Sequence, residues 1–194
     1  MKRKFGIALL WTVLLLPYAG LYVAWRWYRA QLREIPQARV IVVSKQDMTL
    51  TLWNYAGRKL MEVPVATGKN PGDKIVPGDM KTPEGVFRVS DVEDASAWTH
   101  DFGDGKGEIP GAYGDFFIRL DTPGHTGIGI HGTHDPASLG TRASEGCIRL
   151  RNEDLNRLVR RVRPGTVVVI VPAAEDIRAS AASKTPVAEG SAKP

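Results

Sequence analysis

Residues 127–150 read GIGIHGTHDPASLGTRASEGCIRL. The stretch carries the one cysteine of the chain, Cys147, with His131, His134 and Asp135 close by in sequence. Gly132 follows His131 and Gly146 precedes Cys147. A residue without a Cβ lets a substrate come close to the backbone. One thiol with an imidazole folded against it is the minimum for a cysteine nucleophile and its general base, so a cysteine acyl-transfer site is expected here. An imidazole that takes the thiol proton would give a thiolate–imidazolium pair and lower the thiol pKa. Gly127 to Gly132 also fits G-x-G-x-x-G, but Thr133-His134-Asp135-Pro136 follows where a dinucleotide fold needs a helix amino terminus.

Outward from this stretch the pattern is mostly that of strands. TGIGIHG (126–132) and FFIRLD (116–121) precede the loop, and His131 closes its strand, so a neighbouring strand can bring it beside Cys147. After Leu150 comes a helix signal. Asn152 is the expected amino-terminal cap, Glu153 and Asp154 suit the first turn, and Leu155, Leu158, Val159 and Val162 form an apolar stripe that Pro164-Gly165 ends. TVVVIV (166–171) is wholly apolar and expected to be central. VIVVS (40–44) and MTLTLWN (48–54) read as a hairpin, KLMEVPVATG (59–68) as a third strand with Pro64 at an edge or irregularity, and EGVFRVSDV (84–92) as another. Residues 69–83 are expected to be loop. Residues 94–115 form a long glycine-rich stretch containing Trp98, Phe102 and Tyr113, expected to be either a substrate-facing lid or a solvated loop. About eight strands and one helix make a mostly β domain.

The ends differ from this middle. Lys2, Arg3 and Lys4 precede an uncharged run, Phe5 to Trp25, whose 21 residues at about 1.5 Å each match a bilayer core. Trp25, Trp27 and Tyr28 stand where interfacial aromatics collect. The expectation is a single membrane-anchoring helix with the domain outside the cytoplasm. A cleaved signal peptide is the competing reading, and it lacks a convincing small-residue cleavage site. From Ala173 the chain is Ala, Ser, Lys, Glu and Pro without periodicity, and a disordered tail is expected. The organisation is thus 1–36 cytoplasmic terminus, anchor and connector, 37–172 catalytic domain, and 173–194 tail.

Composition limits the functions available. A net charge of +5 suits an anionic surface, but no basic stretch interleaved with aromatics points to nucleic acid. One cysteine excludes an internal disulfide and any multi-thiolate metal site.

The motifs IHGTHDPASLG (130–140), SEGCIRL (144–150), V-x-x-G ending at Gly68 and Thr82-Pro83-Glu84-Gly85-Val86-Phe87 occur in an order that resembles the YkuD-type L,D-transpeptidase family. That family pairs H-G with a following S/T-x-G-C-x-R, and the likeness covers roughly Ala38 to Val171. It implies a mostly β, YkuD-like, β-sandwich-like catalytic domain with one main helix. It implies peptidoglycan stem peptides as partners and no metal or organic cofactor. By the same resemblance Cys147 is the nucleophile, His131 the base and Gly132 its orienter through the backbone carbonyl. The N–H groups of Gly146 and Cys147 contribute the oxyanion hole, while Ser144, Arg149 and Tyr113 shape the substrate pocket. One position departs: Glu145 stands where the family often has histidine. A carboxylate near the thiol opposes its ionisation. In an extended segment Glu145 would face away from Cys147, since neighbouring side chains alternate. Two rivals remain open: a metallopeptidase built on His125, His131, His134 and Asp135, and an anchored wall-binding module without turnover. Nothing in the sequence sets the oligomeric state.

Overall fold

The computed structural model describes residues 18–28, 39–103, 105 and 107–184. The chain divides into two units, 1–38 and 39–194. In the first, residues 18–28 form helix α1, with Tyr22 and Trp25 stacked at 6.2 Å between ring centroids. Among the described residues no helix is long and apolar enough to cross a membrane. Most of the expected anchor, 1–17, lies outside the described residues, as does 29–38.

The second unit is built on an eight-stranded sheet. In chain order its elements are β1 (Arg39–Ser44), β2 (Thr49–Asn54), β3 (Lys59–Pro64), β4 (Thr67–Gly68), β5 (Gly85–Asp94), β6 (Thr99–Asp101), β7 (Glu108–Pro110), β8 (Phe116–Asp121), β9 (Gly129–His131), β10 (Arg142–Ser144), β11 (Ile148–Arg149), helix α2 (Asn152–Val159), β12 (Val167–Val171) and helix α3 (Ala174–Lys184). The main sheet runs β11-β9-β8-β5-β12-β1-β2-β3, and β10-β4 and β6-β7 are small separate pairs. Period-two alternation makes one face of this sheet the core. Ile41 pairs with Leu52 and with Val168, and Leu52 pairs with Met61, so one row of buried side chains crosses four strands. The apolar β12 does lie mid-sheet, between β5 and β1. Helix α2 packs its Leu155 and Leu158 into this core, and Val162 is buried just beyond its end.

Several expectations are corrected. Twelve strands form among the described residues. KLMEVPVATG breaks after Pro64, since proline has no N–H for the ladder, and β4 turns to pair with β10 instead. The 94–115 stretch is not irregular throughout: β6 and β7 pair antiparallel within it, His100 opposite Ile109. Asn152 is the first helical residue, not the cap. Arg151 occupies that position, and Asn152 Oδ1 accepts the Thr133 N–H at 2.9 Å. The helix also stops at Val159, before Pro164.

The largest correction concerns the carboxyl-terminal segment. Residues 174–184 are helical, and 185–194 lie outside the described residues. The helix has no apolar stripe, and Ile177 is exposed. Polar contacts tie it down. Asp176, wholly buried, accepts the Ala173 N–H at 2.7 Å, as an acid three residues past a cap does. It also accepts the Gly72 N–H at 2.6 Å and pairs with Lys45 at 3.1 Å and Arg142 at 2.8 Å. Lys45, itself buried, pairs with Glu84 as well, at 2.6 Å. Arg142 lies on β10, so α3 is fastened to the strand that leads into the cysteine loop.

Candidate active site

Strand order delivers the site. β9 lies between β8 and β11, with His131 opposite Phe117 on one side and Arg149 on the other. β9 and β11 run parallel, so the neighbour expected to bring the histidine to the cysteine exists. The cysteine loop is fixed from its other side as well. Ser144 pairs with Gly68 in the small sheet, Lys69 N–H donates to Ser144 O at 2.9 Å, and Ala66 bridges to Arg149. Thr82, from the T-P-x-G-x-F motif, accepts the Gly68 N–H at 2.8 Å. Cys147 and His131 consequently line one cleft of about 340 Å³.

His131 is held in one tautomer. Its Nδ1 lies 2.7 Å from the carbonyl of Gly132, and a carbonyl only accepts, so Nδ1 carries the hydrogen and Nε2 presents a lone pair. Phe117 stacks on the ring with 15° between planes, and Tyr113 lies 4.8 Å away between centroids. Gly132 cannot be larger, because a Cβ there would fall on Asn152 Oδ1. Its N–H donates to Tyr113 O at 2.6 Å. The helix residue Asn152 thus indirectly fixes the turn that orients the base.

Burial drives the His131 imidazole down to about 3, with the charges of Arg149 and His100 acting the same way against the Gly132 bond. Burial likewise pushes the Cys147 thiol up to about 11, and Glu145 adds to that push. The Gly129 N–H and Arg149 act against it. Burial thus favours the neutral forms of both groups in the free cleft, against the thiolate–imidazolium pair expected from the sequence. The thiol donates to Gly127 O at 3.3 Å, and among the described residues it makes no hydrogen bond to the imidazole. Free sites often hold such contacts loosely and tighten them when substrate binds. Because the raised pKa keeps the thiolate scarce at neutral pH, alkylation of Cys147 by iodoacetamide rises about tenfold per pH unit towards the alkaline range. A rate flat from acid to neutral pH would instead reveal a preformed ion pair.

Other expected residues take altered roles. The Gly146 N–H, expected in the oxyanion hole, is engaged within the loop: it donates to Ser144 Oγ at 3.1 Å, and that hydroxyl donates to Cys147 O at 2.5 Å. Ser144 is fully buried and shapes the loop. Glu145 does not turn away from the thiol, because 145–147 is not extended. Gly146 has φ +138°, and alternation fails across it. A Cβ at Gly146 would also stand 2.8 Å from the Lys81 carbonyl oxygen. Glu145 accordingly lines the cleft and meets His100 Nε2 at 3.2 Å. Tyr113 OH lies 3.0 Å from His100 Nδ1. His100, from β6, escaped the sequence reading because only the β6-β7 pairing carries it to the cleft.

Arg149 lines the cleft at 7% exposure, with its guanidinium 4.9 Å from the centre of the Phe102 ring. Its Nε is buried without a hydrogen-bond partner among the described residues. A buried cation without a salt bridge is costly, and a carboxylate entering the cleft would relieve that cost. The residues of the metallopeptidase alternative do not converge. His134 packs on Phe102 at 5.1 Å, the His125 N–H closes a turn onto Thr122 O at 3.0 Å, and no three His, Cys, Asp or Glu among the described residues are placed to hold a metal.

The chain resembles known proteins in both sequence and fold. A family model described as the L,D-transpeptidase catalytic domain, YkuD, matches residues 38–170. Putative L,D-transpeptidase YkuD of Bacillus subtilis is 30% identical over 136 residues, 70% of this chain and 66% of that protein. Probable L,D-transpeptidase YcfS of Escherichia coli is 30% identical over 145 residues, 68% of this chain but 43% of that protein. Among solved structures, the helical cell shape determining protein Pgp2 from Campylobacter jejuni matches with a TM-score of 0.54 at 25% identity, over 72% of this chain and 49% of that one. The chain therefore spans slightly less than two thirds, or under half, of the length of these relatives.

Proposed function

Since the chain belongs to the YkuD L,D-transpeptidase family, we propose that its cleft performs cysteine-dependent acyl transfer on peptidoglycan stem peptides. Cys147 attacks the carbonyl of the third residue of a tetrapeptide stem. As the S–C bond forms, the thiol proton passes to His131 Nε2. The Cys147 N–H, unlike that of Gly146, remains the backbone donor to the oxyanion. A single such donor stabilises a tetrahedral intermediate by about 3 kcal/mol. The proton on His131 then goes to the leaving nitrogen, D-alanine departs and a thioester is left. An amine of a second stem attacks that thioester and forms a link between third residues. Water in place of the amine makes the same site an L,D-carboxypeptidase. Arg149 suits a stem carboxylate, because its buried Nε lacks a partner. Tyr113, beside the imidazole, forms part of the substrate wall.

The observation that carries this reading is the His131–Gly132 hydrogen bond, which leaves Nε2 as a base inside the cleft that Cys147 lines. Incubating the protein with purified tetrapeptide muropeptides and identifying products by mass tests it. The expected products are free D-alanine with a third-to-third cross-linked dimer or a tripeptide. Unchanged substrate would sink the proposal and favour a wall-binding module.

We also place the domain on the outer side of the cell membrane, held by a single helix at the amino terminus. The support is the basic cluster Lys2-Arg3-Lys4 ahead of the uncharged run to Trp25. Release of the full chain from membranes by alkaline carbonate would contradict that placement.

A further inference from the structure

We propose that Glu145 is the receptor for the protonated acceptor amine, with His100 and Tyr113 as its positioning residues. The inference rests on the acyl-transfer reading above and assigns the acceptor class: a primary ammonium.

Among the described residues lining the cleft, Glu145 is the one carboxylate. Two of the cations lining the cleft are engaged elsewhere, and Arg149 acts on Glu145 through its charge. Lys74 is paired with Asp79 at 2.8 Å, and Arg119 with Glu93 at 3.0 Å. The partner of Glu145 is an imidazole, His100 Nε2 at 3.2 Å, which occupies one of its oxygens. The side chain remains 35% exposed, so the carboxylate can still accept from a ligand. Tyr113 OH holds the far nitrogen of His100 at 3.0 Å, and Phe102 packs edge-on to its ring at 4.4 Å between centroids. The carboxylate is thus braced from the β6-β7 hairpin and from the loop before β8. The left-handed Gly146 turns it into the same cleft as Cys147, two residues before the nucleophile. Arg149 lines the same cleft and suits the donor's carboxylate. One cleft therefore offers an anionic and a cationic side chain, matching an ammonium acceptor and an anionic donor.

The chemistry balances. The ammonium gives one proton to Glu145 and becomes a free amine. Its nitrogen forms the C–N bond with the thioester carbonyl, and the C–S bond breaks. The second proton leaves the nitrogen through His131 and returns to the thiolate, restoring the Cys147 thiol, and Glu145 gives up its proton to solvent once the amide product leaves.

The test uses partition of the acyl-enzyme. The full chain is acylated with tetrapeptide muropeptide in the presence of Nα-acetyl-lysine amide, an ammonium at neutral pH, or of methoxyamine, which is uncharged there. The ratio of aminolysis to hydrolysis product is read by mass. Both products leave from one thioester, so the ratio does not depend on how fast the thioester forms or how much protein is folded. With Glu145→Gln the ratio for the lysine amine falls about tenfold or more, the loss of a hydrogen bond to a charged partner. For methoxyamine it stays within about twofold. Glu145→Asp, which keeps the charge, retains most of the lysine-amine ratio. Equal falls for both amines, or no fall for either, overturn the assignment while D-alanine release leaves the acyl-transfer reading standing. Failure of the wild-type chain to release D-alanine overturns both.

Discussion

If the proposed acyl transfer holds, replacing Cys147 with alanine is expected to abolish D-alanine release from tetrapeptide stems, and His131→Gln to lower it by about three to six powers of ten. The two residues act as one unit, so the double variant is expected to be no slower than Cys147→Ala. The thiol, pushed up to about 11 by burial, cannot supply thiolate on its own at neutral pH. His131 Nε2 is the one base whose tautomer is fixed for the task, through Gly132. Glutamine in place of His131 keeps much of the volume between Phe117 and Tyr113 but offers no lone pair of comparable basicity. Intact-protein mass after exposure to a carbapenem gives a second readout: an acyl adduct on the wild-type chain and none on Cys147→Ala. Release that persists in Cys147→Ala but stops with a chelator would replace this mechanism with a metal-dependent one.

Asp176→Ala is expected to cost about 3–5 kcal/mol of stability, because it leaves the buried Lys45 with a single carboxylate partner and strips Arg142 of one. For a domain of this size that lowers the melting temperature by about 10 °C or more. Glu175→Ala is the contrast. Its side chain is 52% exposed although it pairs with Arg142 at 2.6 Å, so its loss costs about 1 kcal/mol or less. The pH dependence has a definite sign. Burial by itself would raise the Asp176 carboxyl, but the N–H groups of Gly72 and Ala173 and the charge of Lys45 hold it below the ordinary range. A carboxyl lowered in the folded state stabilises above its unfolded pKa of about 3.9 and loses that stabilisation as pH falls through its lowered folded value. Urea midpoints of the wild type and Asp176→Ala should therefore converge in acid. A gap that stays constant down to strongly acidic pH would mean that the residue acts through packing alone.

Helix α3 and the cysteine loop are linked through Arg142. It hydrogen-bonds to α3 and opens the strand that ends at Ser144, whose hydroxyl closes the turn around Cys147. Loosening α3 therefore bears on the loop holding the nucleophile.

How much of this was legible before folding differs from element to element. β1, β8 and β12 were readable as short, largely apolar runs and β2 by its alternation, because both signals are properties of chain neighbours. His131-Gly132 and Gly146-Cys147 were readable because the chemistry leaves few substitutes for a thiol, an imidazole and a residue lacking Cβ. Helix α3 was not, since it is held by ion pairs to Lys45 and Arg142 and a hydrogen bond from the Gly72 N–H, residues 34 to 131 positions from Asp176, and no local periodicity records contacts with such distant partners. Glu145 was misjudged for a related reason: the alternation rule assumes extended backbone, and the φ of Gly146 breaks it. The same holds for ionisation. Cysteine and histidine at these positions name the reactive atoms, but burial decides which of them carries charge at rest, and burial exists only once β8, β9 and β11 stand side by side.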